Sequence, residues 1–555
     1  MPRDDHIDKP YLPNRKDFHL EKGTVMKSLM KRVFAAAAAI ATVFGLAATT
    51  VVTANAADNA TLTVSTTDAK FAGKTVNAYK MFSATVSGDG KAVSYTLTDE
   101  WKPFFKDGLG LTGVTDTNVN DKANEYVAKL KNDGTGLAAF ATKASNWAQN
   151  TVNGIKTNKT TTVSSNAAGG QYTATFTGLD YGYYVVAVPG ATVADTKSQY
   201  ATLVSVGSTN VDATIKGALP TVVKKVNGES ATSAKIGDTL TFTLTSTIPD
   251  MSAYSAYTFN FKDTLSKGLT FKQVDSVKVE GANSSLTEGA DYSVTTTSKT
   301  SGETLLTVAM NEFKKQQTNV GKTITVTYKA TLNKDAVVGG HGNVNSATIQ
   351  YSNKPGIEGT GESEPSKVRV FTYGFTVDKY TGDSYPDKAV RLAGAKFTLA
   401  PKAGGEAIHF VQVNAGNATT NAVYRVAKDD DTVTTTTITT PENGKVDFQG
   451  LKNGEYTLTE TKAPAGYNKL ASALGVKVDG KNDGTDTTNA TVTITYNNDN
   501  GSNYDKTASN GAIPVQNKSG VVLPGTGGMG TIAFTVIGVL VIALGVAWTL
   551  KRKNA

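Results

Sequence analysis

The sequence contains no cysteine among its 555 residues, so disulfide bonds and a cysteine nucleophile are both excluded. Histidine is scarce as well, and only His341 and His409 follow residue 57. A hydrolase with a histidine-dependent triad would have to use one of these two, so this class of enzyme fits poorly. No carboxylate pair suited to glycoside hydrolysis can be singled out. The acidic stretches at 429–431 and 497–505 lack EF-hand spacing, and we expect neither a metal nor a cofactor.

Charge of one sign is also limited, since the formal net charge is only +8 and part of it lies in the terminal segments. It gives no reason to expect nucleic-acid binding. What the chain does have is alternation of apolar and polar residues, as in TLTFTLTST (239–247) and KTITVTYKATL (322–332). This period-two pattern predicts half-buried β-strands. A chain of this length suggests three or four domains, and we expect them to be β-rich.

The N-terminal region carries a targeting signal at MKSLMKRVFAAAAAIATVFGLAATTVVTANA (26–56). Basic residues precede an apolar run that ends in the A-x-A form of a signal-peptidase site. We therefore expect a mature chain that begins at Ala57, rather than a retained membrane anchor. The charged stretch before the signal leaves Met1 and Met26 as alternative translation starts.

The C-terminal region combines LPGTGG (523–528), an apolar run at 531–550 and the basic KRK (551–553). The apolar run is long enough to cross a bilayer, and the basic residues would stay on the cytoplasmic side. The combination resembles a Gram-positive cell-wall sorting signal of the Leu-Pro-any-Thr-Gly type. The resemblance implies that a sortase attacks the Thr526 carbonyl, releases everything from Gly527 onward and transfers the acyl group to an amine. The motif comprises Leu523, Pro524, Gly525, Thr526 and Gly527.

Two breaks rich in proline and glycine, at 216–220 and 354–367, divide the chain between these signals. A helical insert is expected near NDKANEYVAKLKN (120–132). We predict a leader and signal peptide at 1–56, an N-terminal domain at 57–216, a middle domain at 217–367, a C-terminal domain at 368–522 and a sorting segment at 523–555.

Polar residues recur on the apolar faces of predicted strands. Strand alternation places a lysine, an acid and an asparagine inward in each of the last two domains. In the middle domain these are Lys224 of VVKKV, Asp263 of FNFKDTL and Asn345 of NVNSATIQY; in the C-terminal domain they are Lys379 of YGFTVDK, Glu460 of YTLTE and Asn517 of IPVQN. Asn343 shares the inward face with Asn345 and remains a competitor. The alternative is that such residues are strand ends satisfied by water.

Two matching sets in the same chain order point to chemistry. Burial disfavours the charged forms of lysine and carboxylate, which leaves a nucleophilic amine and a protonated acid. The acid can hydrogen-bond the asparagine carboxamide and polarise it for attack by the amine, with ammonia leaving. The product is a Lys–Asn isopeptide bond that joins the first strand of a sandwich to its last. Such a bond would reinforce a chain that lacks disulfides.

Several stretches resemble Gram-positive pilins. YTLTETKAPAGY (456–467) is similar to the pilin E-box, and LAGAKFTLAPK (392–402) resembles the opening of collagen-adhesin B-type domains. KDTLSKGLTF (262–271) followed by GNVNSATIQYSN (342–353) is similar to the other isopeptide-forming domain type of pilins. The resemblance implies an all-β fold of three tandem Ig-like sandwiches of the collagen-adhesin A/B type. It also implies that the two sets of three residues are bond-forming triads.

A shaft subunit needs an outward-facing lysine to accept the acyl group of the next subunit. In VDATIK (211–216), Lys216 lies opposite the face of Val211, Ala213 and Ile215. The pilin family has a Val-Tyr-Pro-Lys-Asn pattern at this junction, whereas this sequence has ATIKG. Lys225, which also faces outward, is the nearest rival.

The resemblance as a whole implies a major pilin, a sortase substrate and not a turnover enzyme, secreted and anchored to a Gram-positive cell wall. The expected partners are pilin-class and housekeeping sortases, identical subunits, minor or tip pilins and peptidoglycan, with host matrix or glycan as an adhesion target. The alternative is a monomeric wall-anchored adhesin, which the sorting signal and the isopeptide domains fit equally well.

Overall fold

The computed structural model describes residues 59–87, 92–130, 136–192, 200–355, 359–481, 491–520 and 530–553. The predicted leader at 1–56 and the sorting motif at 523–527 lie outside the described residues. The described chain forms two compact units. The first comprises the described residues up to Thr232 with Thr239–Thr331 and Asn343–Val370, and the second comprises Ser233–Asp238, Leu332–Gly342 and the described residues from Phe371 onward. The predicted domain boundaries stay predictions.

In the first unit, the N-terminal strands form two sheets with the orders β5-β1-β8 and β3-β2-β6-β7, and β4 pairs with β2. The pairings are antiparallel except for β1 with β8, which run parallel. The strands are β1 (Ala60–Thr66), β2 (Thr75–Val86), β3 (Val93–Leu97), β4 (Lys159–Thr162), β5 (Tyr172–Leu179), β6 (Gly182–Ala187), β7 (Ala201–Val206) and β8 (Asn210–Thr214).

Helices α1 (Val119–Lys129) and α2 (Gly136–Gln149) lie between β3 and β4. The insert predicted at 120–132 corresponds to α1, whereas α2 was not predicted. Both helices contribute to an aromatic core around Trp101, Phe104 and Phe140, and the edge-to-face ring contact of Trp101 with Phe104 has a centroid distance of 5.4 Å. The insert is therefore held to the sheet by hydrophobic packing.

The following part of the chain forms two facing sheets. One has the order β10-β19-β17-β12-β15-β14 with β18 on β17, and the other has the order β13-β16-β11-β9. The strands are β9 (Val223–Val226), β10 (Ala231–Ser233), β11 (Thr239–Thr247), β12 (Phe259–Leu265), β13 (Leu269–Val279), β14 (Tyr292–Ser298), β15 (Thr304–Met310), β16 (Thr323–Leu332), β17 (Asn343–Ser352), β18 (Thr360–Glu362) and β19 (Ser366–Phe371).

The second unit also contains two sheets, with the orders β21-β20-β26-β24-β23 and β25-β22-β27-β28-β29-β30. Strand β31 pairs in parallel with β20. The strands are β20 (Tyr373–Thr381), β21 (Val390–Arg391), β22 (Lys396–Pro401), β23 (Phe410–Asn414), β24 (Ala422–Val426), β25 (Ile438–Thr439), β26 (Lys445–Leu451), β27 (Gly454–Lys462), β28 (Leu474–Lys481), β29 (Thr491–Asn497), β30 (Lys506–Thr507) and β31 (Ala512–Gln516).

The prediction of an all-β fold built from sandwiches is confirmed. The stretch predicted at 239–247 is β11, in which the buried residues alternate with more exposed ones as the sequence pattern requires. Strand β16 shows the same alternation along Thr323–Leu332. This regularity decides which side chains enter each core, and it brings the two lysine–acid–asparagine sets to the inner faces.

Candidate functional site

Three strands of the second unit bring together the C-terminal set of polar residues. Lys379 lies on β20 directly opposite Val515 of the parallel strand β31, and Asn517 is the first residue after β31. Glu460 lies on β27 of the facing sheet. All three residues are at least 98% buried, because the alternation of each strand turns them toward the core.

The contacts within this cluster link the acid to both of the other groups. Nζ of Lys379 lies 3.5 Å from Oε1 of Glu460 and donates a hydrogen bond to the backbone carbonyl of Val515 at 3.1 Å. Nδ2 of Asn517 donates to Oε2 of Glu460 at 3.1 Å. The backbone N–H of Leu470 donates to the same carboxyl oxygen at 2.8 Å. The amine and the amide therefore approach one carboxyl group from two sides.

The middle-domain set is divided between the two facing sheets of the first unit. Lys224 lies on β9, where it pairs with Leu244, while Asp263 on β12 and Asn345 on β17 belong to the other sheet. The side chains of Lys224 and Asp263 are completely buried and form an ion pair. A covalent bond between Lys224 and Asn345 would thus connect the two sheets.

Tyr328 of β16 is a fourth member of this middle cluster. Its hydroxyl oxygen accepts a hydrogen bond from Nζ of Lys224 at 2.9 Å and from Nδ2 of Asn345 at 2.6 Å. The hydroxyl donates in turn to Oδ2 of Asp263 at 2.7 Å. The Tyr328 ring stacks on Phe242, and Nζ of Lys224 lies 5.1 Å from the centroid of each ring. One phenol oxygen therefore contacts the amine, the acid and the amide.

Burial controls the protonation of the two lysines. It lowers the pKa of Lys224, against the opposing effect of Asp263. It lowers the pKa of Lys379 to about 8, and Glu460 opposes part of this shift. Burial also raises the pKa of the Tyr328 phenol well above its usual range, and the charge of Asp263 acts in the same direction. The neutral form of the amine, the form that can act as a nucleophile, is therefore more highly populated in these two lysines than in an exposed lysine.

Each cluster leaves two buried oxygens without a hydrogen-bond donor among the described residues. They are Oδ1 of Asp263 with Oδ1 of Asn345, and Oε1 of Glu460 with Oδ1 of Asn517. A buried polar atom without a partner is costly, and a protonated carboxyl group would give the amide oxygen a donor. The same pair of unpartnered atoms in both clusters is what amide activation by an acid requires.

The rival asparagine in the middle domain has a different partner. Nδ2 of Asn343 donates to the backbone carbonyl of Val370 at 3.1 Å. Asn345, by contrast, contacts the hydroxyl shared with Lys224. In the described part of 59–216, no charged side chain is buried, so we infer no comparable cluster there.

The predicted acceptor lysine lies just beyond β8. Lys216 is exposed, while Ile215 before it is buried. Gly217 has φ +104°, and a Cβ at this position would come within 2.9 Å of the Tyr200 backbone, so glycine is required after the lysine. The rival Lys225 is half-buried, and its Nζ donates to Oγ of Ser230 at 3.1 Å. Lys216 is thus the more accessible amine of the two.

The C-terminal helix α3 (Gly530–Lys553) follows the predicted sorting motif. Its segment Thr535–Arg552 is long and apolar enough to cross a membrane, with a mean hydropathy of 1.6. This agrees with the apolar run predicted at 531–550.

Three family models match parts of the chain. They are the Gram-positive pilin backbone subunit 2, Cna-B-like domain over 236–355, the SpaA prealbumin-like fold domain over 386–495, and the LPXTG cell wall anchor motif over 515–555. The chain therefore carries a domain similar to those of Gram-positive pilin backbones, a prealbumin-like domain and a cell-wall anchor motif, each over part of its length.

Two curated proteins are similar over part of their length. The trypsin-resistant surface T6 protein of Streptococcus pyogenes serotype M6 is 27% identical over 286 residues, which cover 49% of this chain and 47% of that protein. Fimbrial subunit type 2 of Actinomyces naeslundii is 24% identical over 293 residues, which cover 45% of this chain and 49% of that protein. The chain thus spans about half the length of the curated relatives it matches.

Solved pilin structures are also similar to the chain. The T6 backbone pilin of S. pyogenes is 21% identical with a TM-score of 0.42, covering 76% of this chain and 83% of that one. The SpaA major pilin of Corynebacterium diphtheriae is 16% identical with a TM-score of 0.42, and the match covers 82% of this chain and 99% of that one.

Proposed function

We propose that the chain is the shaft subunit of a covalent pilus, assembled by a sortase that joins Thr526 of one subunit to Lys216 of the next. The observation that carries this proposal is the pilin backbone domain at 236–355 on the same chain as the anchor motif. The exposure of Lys216 supports its role as the acceptor amine. Pilin-class and housekeeping sortases, other pilin subunits and peptidoglycan are the partners that this function requires.

The two buried clusters would form internal isopeptide bonds between Lys224 and Asn345 and between Lys379 and Asn517. In each reaction, Nζ of the lysine attacks Cγ of the asparagine, a new N–C bond forms, and the bond from Cγ to Nδ2 breaks. Nδ2 leaves as ammonia and takes up one proton that the amine has lost. Asp263 or Glu460, protonated, would polarise the amide oxygen during attack. The acid is regenerated, and the chain performs each reaction once.

The experiment that tests the shaft function is an SDS gel of cell-wall extracts, probed for this protein. Wild type should give a high-mass ladder, because covalent polymers survive denaturation. Lys216→Arg should reduce the ladder to monomer, and Lys225→Arg serves as the matched control. A ladder that survives in Lys216→Arg but is lost in Lys225→Arg would move the acceptor to Lys225.

The second candidate is a monomeric wall-anchored adhesin that binds host matrix or glycan. The anchor motif and the buried clusters are compatible with it. Extracts that contain only monomer in every strain, including wild type, would favour this function over the shaft.

A further inference from the structure

We propose that Tyr328 is a catalytic residue of the middle-domain cross-link, where its hydroxyl carries the proton that leaves Lys224 to the departing amide nitrogen of Asn345. This inference rests on the proposed isopeptide bond. It adds a fourth reacting group to the lysine, the acid and the asparagine.

The geometry of one oxygen atom supports this role. The Tyr328 hydroxyl lies 2.9 Å from Nζ of Lys224 and 2.6 Å from Nδ2 of Asn345. These are the nitrogen that must lose a proton and the nitrogen that must gain one. A single hydroxyl within hydrogen-bond distance of both can connect them without water. The cluster is closed to solvent, since the side chains of Lys224 and Asp263 are wholly buried and Asn345 is 0% exposed.

The proton balance is complete without any further group. As Nζ attacks Cγ of Asn345, the phenol oxygen takes up one proton from Nζ. The phenol's own proton, directed at Oδ2 of Asp263 before the reaction, turns to Nδ2 as the carbon–nitrogen bond weakens. Nδ2 leaves as ammonia, and Tyr328 ends as the neutral phenol it was at the start. The burial that raises the pKa of this phenol keeps it protonated between the two transfers.

The C-terminal cluster provides an internal comparison. Nδ2 of Asn517 donates to Glu460 and to the backbone carbonyl of Asn468, and Nζ of Lys379 donates to the carbonyl of Val515. Among the described hydrogen bonds of that cluster, none involves a tyrosine hydroxyl. A change at Tyr328 should therefore slow the Lys224–Asn345 bond and leave the rate of the Lys379–Asn517 bond unchanged, so that the second bond serves as an internal reference.

The test follows both cross-links in the full chain as it is made in a cell-free translation system. Samples are quenched in acid denaturant at successive times and digested, and mass spectrometry measures the two branched peptides that contain Lys224–Asn345 and Lys379–Asn517. Tyr328→Phe keeps the ring that stacks on Phe242 and removes only the hydroxyl. We expect the middle bond to form about 10²-fold more slowly while the C-terminal bond keeps its wild-type rate.

Tyr257→Phe is the matched control, because it removes another buried hydroxyl of the same unit, one that has no hydrogen-bond partner among the described residues. It should leave both rates unchanged. Equal rates of the middle bond in Tyr328→Phe and wild type would overturn the role of Tyr328 and leave the isopeptide bond standing. A wild-type chain that never yields the Lys224–Asn345 peptide would overturn the bond itself, and with it this inference.

A second measurement distinguishes proton transfer through the Tyr328 hydroxyl from a purely structural role of that hydroxyl. Replacing all tyrosines with 3-fluorotyrosine alters the acidity of the phenol with little change in shape. The ratio of the middle to the C-terminal rate should change in the wild-type sequence and not in Tyr328→Phe. A ratio that fluorination leaves unchanged in the wild-type sequence would contradict proton transfer through Tyr328. If Tyr328→Phe becomes sensitive to trypsin, which would show that the variant no longer folds correctly, the fluorinated wild-type chain still tests the proposal.

Discussion

Nζ of Lys379 lies 3.5 Å from Oε1 of Glu460, and both side chains are fully shielded from solvent. A buried ion pair of this kind recovers its desolvation cost only with good geometry and further hydrogen bonds. Here Oε1 of Glu460 has no hydrogen-bond partner among the described residues, while Oε2 accepts from Asn517 and from Leu470. The arrangement makes better sense as the precursor of a covalent bond than as a device for stability.

Glu460→Ala should prevent the Lys379–Asn517 bond, because it removes the group that polarises the amide. The intact mass of the variant, after correction for the substitution, should show one ammonia fewer lost than in wild type. Glu455→Ala is the control, since Glu455 lies on the same strand but is exposed. If Glu460→Ala loses as many ammonias as wild type, Glu460 is not the acid of this cluster.

Asn345→Ala should abolish the middle-domain bond, whereas Asn343→Ala should retain it. The reason is that Asn345 shares the Tyr328 hydroxyl with Lys224, while the Asn343 amide is used by the backbone at Val370. Peptide mapping by mass spectrometry distinguishes the two branched products. A peptide that joins Lys224 to Asn343 would reverse the assignment.

The inward positions of these residues were predictable from the sequence, because alternation along a strand depends only on local geometry. Lys379, Glu460 and Asn517 needed no knowledge of how the strands pair. The contacts of Tyr328 did not follow from the sequence in the same way. Alternation places its side chain inward on β16, but its meeting with Asn345 depends on the separation of two sheets. A tyrosine at an inward position among apolar residues was the available signal.

Alternation alone is also misleading at Asp378. This residue precedes Lys379 on β20 and should point to the opposite, solvent-facing side, yet it is only 1% exposed. The loop before β21 and β21 itself cover it: the Tyr385 hydroxyl of the loop donates to Oδ2 of Asp378 at 2.9 Å, and Nη2 of Arg391 on β21 donates to the same atom at 2.9 Å. Coverage by a loop is a tertiary effect, and no period in the sequence reports it.

Asn517→Ala should lower the stability of the second unit by roughly 5 kcal/mol, the scale for covalent closure of loops of about 100 residues or more. The variant leaves Lys379 paired with Glu460, so the loss reports the missing bond and not an uncompensated buried charge. Thermal unfolding should show the transition of this unit lowered by roughly 10–20 °C. Asn503→Ala, at an exposed position, is the control. A melting temperature equal to that of wild type would mean that the bond is absent or adds no stability.

The rate of the Lys379–Asn517 reaction should depend on pH through the amine. Burial lowers the pKa of Lys379 from 10.5 to about 8, and only the unprotonated amine can attack. The unprotonated fraction rises about tenfold per pH unit below the pKa and levels off above it. In the timed translation experiment, translation would be stopped early and the samples shifted to buffers between about pH 6 and 10. The rate of branched-peptide formation should rise steeply up to about pH 8 and level off above it. A rate that continues to rise toward pH 10 would indicate that the lysine reacts from an environment in which its charge is not disfavoured, and so before the strand is buried.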